Sequence, residues 1–288
     1  MASFSVHFDG DITVNHRVPV RVLAKTYEHM QRAIDRAYLV ERYGAVYKNA
    51  HLKDEDYAVT QFMAEYPYEG GIFLDAIKDG AEAIIDHIQE AVRRVYEPAL
   101  NAGLDQQATF AQELHDRQVY VAGMGANTQA FQALRDNPVA TWQAAYSDRS
   151  IVKEIDQLIG QIRGDHVGES IVDLRLQGNN LYLPFAFNAQ IAGRFHQIVS
   201  RRELAAAVIV RAKIRHLDTG NKYTKPKAKI LNLDTGREVT LHLNSLPDFY
   251  ALHPHHTAEE VFIFAAPVVE AGGFDLMGGD LQFLAVQE

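Results

Sequence analysis

Cysteine is absent from the 288 residues. Disulfides, thiolate zinc sites, iron–sulfur clusters and cysteine nucleophiles are excluded with it, and a reducing compartment fits its absence. Long apolar runs are also missing: none approaches the roughly 20 residues that a membrane helix needs. The start, Met1-Ala2-Ser3-Phe4-Ser5-Val6-His7-Phe8-Asp9, has neither a basic nor an apolar leader segment, so no signal peptide is expected. A soluble, cytoplasmic protein with no membrane contact follows as the expectation. There is no Walker A sequence, no Gly-x-Ser-x-Gly, no H-E-x-x-H and no kinase signature. Non-enzymatic function is therefore the first reading. Internal repeats, low-complexity tracts and Pro/Ser linkers are lacking too.

Acidic residues are scarce in one place. The net charge is −9, yet residues 201–229 hold nine basic residues against only Glu203 and Asp218. That is a local charge of +7, leaving −16 for the remainder. The block coincides with strand-like alternation. Val208, Val210, Ala212 and Ile214 fall on one face, and Ile209, Arg211, Lys213 and Arg215 on the other. Asp218-Thr219-Gly220-Asn221 reads as a turn. Lys225, Lys227 and Lys229 continue the period of two, Asp234-Thr235-Gly236 turns again, and Val239, Leu241 and Leu243 alternate after it. The stretch predicts an antiparallel sheet with one apolar and one basic face.

Phe4, Val6 and Phe8 predict an opening strand, and Pro19 suits the first turn of a helix whose stripe is Val20, Leu23, Tyr27, Met30, Ile34 and Ala37. Ala58 to Tyr66 reads as a strand ended by Pro67, and Phe73 to Leu100 as one long helix ended at Pro98. Its wide apolar face hints at self-association. Ile151, Ile155, Leu158, Ile159 and Ile162 mark a further helix capped at Ser147-Asp148. Ile171–Leu176 and Leu181–Phe187 form a hairpin signal, and Ala189 to Ser200 a short helix. Further strands are expected at 260–265 and 281–286. The fold class is α+β. Residues 1–167 are expected as a mainly helical domain with one or two strands, and residues 168–288 as a β-rich domain with a small barrel or sheet.

The opening strand and its Pro-started helix resemble the start of some uncharacterised bacterial proteins, a few of which lie near antiphage genes. The resemblance is confined to roughly the first forty residues and contains no catalytic motif. It implies a bacterial setting, with antiviral defence as one context.

Four constellations can carry chemistry. Arg211, Lys213, Arg215, Lys222, Lys225, Lys227 and Lys229 present rows of charge that suit backbone phosphates, and Tyr223 beside them can stack on a base. DNA or another nucleic acid, or a polyphosphate, is the expected partner. His253, His255 and His256, with Glu259 and Glu260 behind them, offer ligands for a divalent metal. Val119 to Thr128 contains Gly123-x-Gly125 and reads as a strand entering a nucleotide loop. Asp9 and Asp11 share a turn, and Asp75, Asp79 and Asp86 fall at helical spacings, as magnesium-binding carboxylates sometimes do.

The sequence leaves rivals to nucleic-acid binding. An oligomeric assembly or scaffold protein would set the basic strands against acidic helices of a protein partner or second subunit. A metal-dependent hydrolase would use the His253–His256 loop. No cofactor is required by the first reading.

Overall fold

Alternate side chains of β1 (Ala2–Asp9) share one fate: Ala2, Phe4, Val6 and Phe8 are buried while the residues between them are partly exposed. The computed structural model describes residues 1–13, 15, 17–64, 72–101, 109–164, 167–179 and 183–287. The remaining strands are β2 (Met63–Ala64), β3 (Ile72–Lys78), β4 (Ile171–Gln177), β5 (Leu183–Asn188), β6 (Arg202–Leu204), β7 (Val208–Asp218), β8 (Lys227–Asn232), β9 (Arg237–His242), β10 (Val261–Glu270) and β11 (Leu281–Val286). The helices are α1 (Val20–Tyr43), α2 (Tyr57–Thr60), α3 (Glu82–Asn101), α4 (Phe110–Met124), α5 (Phe131–Asp136), α6 (Trp142–Ile159), α7 (Ala189–Val199) and α8 (Leu246–Leu252). No helix among the described residues is long and apolar enough to cross a membrane.

The chain forms two units, one from Met1–Leu104 with Ser147–Arg201, the other from Asp105–Tyr146 with Arg202–Glu288. The first is built on a five-stranded sheet ordered β2-β3-β1-β4-β5, antiparallel at every pairing. Its core joins Phe4, Phe8, Ile34, Ile85, Ile88 and Phe187 with buried residues of α6 and α7. Helix α1 begins after Pro19 and stops at Gly44, whose left-handed conformation (φ 76°) lets its N–H reach the Val40 carbonyl at 2.7 Å. Glycine enters that region without the steric cost of a Cβ.

In the second unit β7, β8, β9, β11 and β10 close into a five-stranded barrel, with β6 added at the β10 edge. All its pairings are antiparallel except β9 with β11. Val210, Ala212, Ile230, Leu241, Ile263 and Phe283 fill its interior. Each comes from an alternating strand, so the intervening residues must point outward. Phe131 of α5 and Leu252 of α8 join the same core, and Trp142 packs edge-on to Phe274.

The α+β class and the C-terminal small barrel are as the sequence predicts. The boundary expected at residues 167 and 168 is not where the units divide. Strands β4 and β5 hydrogen-bond to the sheet of β1, and residues 105–146 belong with the barrel. Hydrophobic periodicity reports local form, not which distant strand is the partner. Residues 73–78, expected as helix, form β3 opposite β1 instead, and the helix starts at Glu82. Pro98 lies within α3, three residues before its end, where one missing N–H is tolerated. The strand expected over Ala58–Tyr66 is a short helix followed by β2, and its expected stop at Pro67 lies outside the described residues. Helix α6 runs through Ser147-Asp148 rather than starting there. The apolar face of α3 is covered: Ile84, Ile85, Ile88 and Val92 are all buried in the first unit's core. The observation behind the self-association reading is thereby removed.

Candidate nucleic-acid interface

The outer face of β8 and β9, with the loop joining β7 to β8, gathers most of the basic residues. Lys227 and Lys229 alternate with buried Ala228 and Ile230, so both point away from the barrel interior. Lys229 stands opposite Thr240 and donates to its Oγ1 at 2.9 Å. Lys227 stands opposite His242 on one side and Asp218 on the other, 3.8 Å from the Asp218 carboxylate. That pair is half exposed, the situation in which an ion pair contributes little.

The loop is a built turn. The Asn221 side-chain oxygen accepts from the Tyr223 N–H at 2.8 Å and the Thr224 N–H at 3.1 Å, while Asn221 N–H donates to the Thr224 carbonyl at 3.0 Å. Gly220 precedes it with φ 73°, and a Cβ there would lie 2.3 Å from the Thr224 carbonyl oxygen. Lys222 and Tyr223 therefore sit at the tip. Tyr223 is 86% exposed, and Lys222 Nζ lies 5.6 Å from its ring centroid. Lys225 reaches back to the Asn244 side-chain oxygen at 3.0 Å, just past β9.

The β7 row behaves differently. Arg211 Nε is 3.5 Å from Asp234, and Lys213 Nζ is 2.5 Å from Glu259. The Lys213 hydrogen bond holds the Glu259 carboxyl below its usual range, so the pair is charged at neutral pH. Arg215 is exposed but lies at a bulge between Ile214 and His216. The bulge advances the register by one residue, so His216 stands beside Lys229. Alternation alone predicts Arg211, Lys213 and Arg215 as one uniform row facing the lysines. The structure breaks that row with two ion pairs and a bulge. Among the described residues no carboxylate pairs with Arg215, Lys222, Lys225 or Lys229.

Sequence reasoning missed His216, Thr240, His242 and Asn244. The alternation of β9 places Thr240 and His242 outward, but no signal revealed the bulge. His242 Nε2 lies 3.2 Å from Asp280 in the loop between β10 and β11, so that loop borders the same face.

The other constellations do not assemble as expected. His253 and His255 lie in a short 3-10 turn after α8, with His256 at its end, and His253 packs on the Phe249 ring at 5.8 Å. A strand would have put His253 and His255 on one side; the turn does not. No group of three metal-ligating side chains forms among the described residues. Val119 to Ala122 is helical in α4, so no strand leads into Gly123-x-Gly125. Short apolar runs of this kind fit either element. Asp75 is in β3, Asp11 accepts from the Glu169 N–H, and Asp86 from the Asn179 N–H.

No known protein-family model matches the sequence, and comparison with curated proteins finds no match.

Proposed function

We propose that the barrel binds single-stranded nucleic acid, or a like polyanion, across the outer face of β8 and β9. The observation that carries this reading is the row Lys225, Lys227 and Lys229 running into a preorganised loop that holds Tyr223 almost fully exposed. A closed five-stranded barrel with a helix between its third and fourth strands is the architecture of oligonucleotide- and oligosaccharide-binding barrels. Their ligands lie on the face of strands two and three, beside the loop joining strands one and two. Those elements here are β8, β9 and the Thr219–Pro226 loop. Fold alone does not decide function. The side chains favour an anionic polymer over a neutral glycan, because ammonium groups without carboxylate partners gain most from phosphates.

The contact has two parts. Lys222, Lys225, Lys227 and Lys229 track the backbone by charge, and Tyr223 stacks on one base. Arg211 and Lys213 contribute less, since Asp234 and Glu259 already answer their charge. Nothing in this contact breaks a bond, so the role is that of a binding accessory protein. The test is fluorescence anisotropy with labelled oligothymidine at about 50 mM salt, where charge contacts are strong. The triple reversal K225E/K227E/K229E is expected to abolish binding, and the double reversal R211E/K213E to weaken it less. No binding by the native protein, or equal loss from both sets, would overturn the reading.

A further inference from the structure

A second site lies in the same unit, away from the lysine row. Arg117, Tyr120, Asn127, Thr128, Gln129, Ala206 and Ala207 line a cleft of about 380 Å³, within the range of small-molecule sites. Arg117 projects from α4 and is anchored: Nε donates to the Ala205 carbonyl at 2.8 Å and an Nη to the Leu204 carbonyl at 3.3 Å. These bonds hold the guanidinium in place without neutralising it. Glu113, one helical turn earlier, accepts from the Leu204 N–H at 2.7 Å instead. No carboxylate pairs with Arg117 among the described residues.

The opposite wall is equally fixed. The Gln129 carbonyl accepts from the Ile209 N–H at 2.9 Å, and Ala130 bridges to Ile209 in parallel, so Thr128 is pinned beside the start of β7. Thr128 is only 8% exposed, and its hydroxyl has no protein hydrogen-bond partner among the described residues. Buried hydroxyls are normally satisfied, and one left without a partner in a cleft wall calls for an explanation. The lining thus combines one uncompensated cation, one unsatisfied hydroxyl and two amide side chains. None of the described lining residues is acidic.

We propose that this cleft binds a small organic anion, a carboxylate or phosphate monoester. Arg117 and Thr128 hold its charged group, and Tyr120 with Ala206 and Ala207 contacts its apolar body. Arginine suits both kinds of oxyanion, through charge-assisted hydrogen bonds. The site does not depend on the barrel-face reading, since the two share no residue.

Calorimetric titration and thermal melting of the full chain test the assignment with four probes: inorganic phosphate, succinate, adenosine monophosphate and uncharged adenosine. At least one anion is expected to bind and raise the melting temperature, while adenosine does not. R117Q should remove that shift. Because R117Q also loosens the Leu204–Ala205 backbone, Thr128→Val is the sharper variant. It is nearly isosteric and deletes only the hydroxyl. It should melt higher than the native chain without ligand, yet bind the anion at least fivefold more weakly. Absence of binding by all three anions, or unchanged affinity in T128V, would overturn the proposal.

Discussion

Lys229 donates to Thr240 Oγ1 across the β8–β9 ladder at 2.9 Å. The ammonium is oriented by a neutral hydroxyl rather than answered by a carboxylate, so its charge remains available outside the barrel. Lys213 lies two strand positions beyond Arg211 on β7 and makes the opposite choice with Glu259. This contrast separates cations that suit a ligand from cations that serve the fold.

Replacing Lys229 by methionine keeps the side-chain stem and deletes the charge. Binding to oligothymidine should weaken, and the dependence of log affinity on log salt should become shallower by roughly 0.7, the single-strand value per phosphate contact. K213M should change that slope much less. Anisotropy titrations over a salt series measure both.

Tyr223 contributes stacking rather than charge on this reading. Tyr223→Ala should cost about 1–3 kcal/mol of binding, the range for one base on an aromatic ring, and leave the salt slope unchanged. Gly220→Ala tests the loop beneath it. The new Cβ would meet the Thr224 carbonyl oxygen at 2.3 Å in a positive-φ residue, so stability should fall by about 1 kcal/mol or more. Binding should fall with it as the tip is displaced. Urea melts and anisotropy read the two effects separately.

His87 gives the first unit a pH dependence. Its Nε2 lies 3.2 Å from Asp148 and its Nδ1 2.6 Å from Glu41. The hydrogen bond to Asp148 raises its pKa most, partial burial opposes this, and Glu41 raises it further. A raised folded-state pKa means that this contribution is full below the unfolded value near 6.5 and is lost as pH rises through the folded value. Stability should therefore decline from about pH 6.5 upward, and H87Q should flatten that part of the profile. Denaturant melts across pH 6 to 9 would show it.

Phe187 packs edge-on against Tyr96 at 5.0 Å and Phe195 at 5.5 Å, wholly buried. Phe187→Ala should cost about 3–5 kcal/mol, through lost burial and the cavity left behind. Tyr96 also donates to the Ala186 carbonyl at 2.9 Å, so its ring cannot collapse freely into the space. Chemical denaturation followed by near-ultraviolet dichroism measures the loss.

Much of the architecture was legible in the chain. The alternation around Val210, Ile230 and Leu241 places the barrel strands, and the stripe from Val20 to Ala37 places α1. Phe73 to Lys78 was not legible, because a short apolar run fits both periods and only pairing with β1 settles it. The same ambiguity hid the helical state of Val119 to Ala122. For the candidate interface, alternation correctly turned Lys227 and Lys229 outward. It could not show that Asp234 and Glu259 would meet Arg211 and Lys213, since those contacts join residues far apart in sequence. The cleft around Arg117 and Thr128 had no sequence signal at all. It brings α4 together with the start of β7 across nearly ninety positions, as the Arg117–Ala205 separation of 88 shows.

The amino-acid order by itself determined the absence of thiol chemistry, the faces of most strands and the concentration of positive charge between Arg201 and Lys229. These depend on composition and on the two-residue and 3.6-residue repeats of local backbone geometry. Tertiary structure alone decided which cations are neutralised, where β7 bulges, and that β4 and β5 belong with β1 rather than with the barrel. Coulomb and hydrogen-bond partners are chosen by proximity in space, and closing a barrel brings together groups that no local repeat connects.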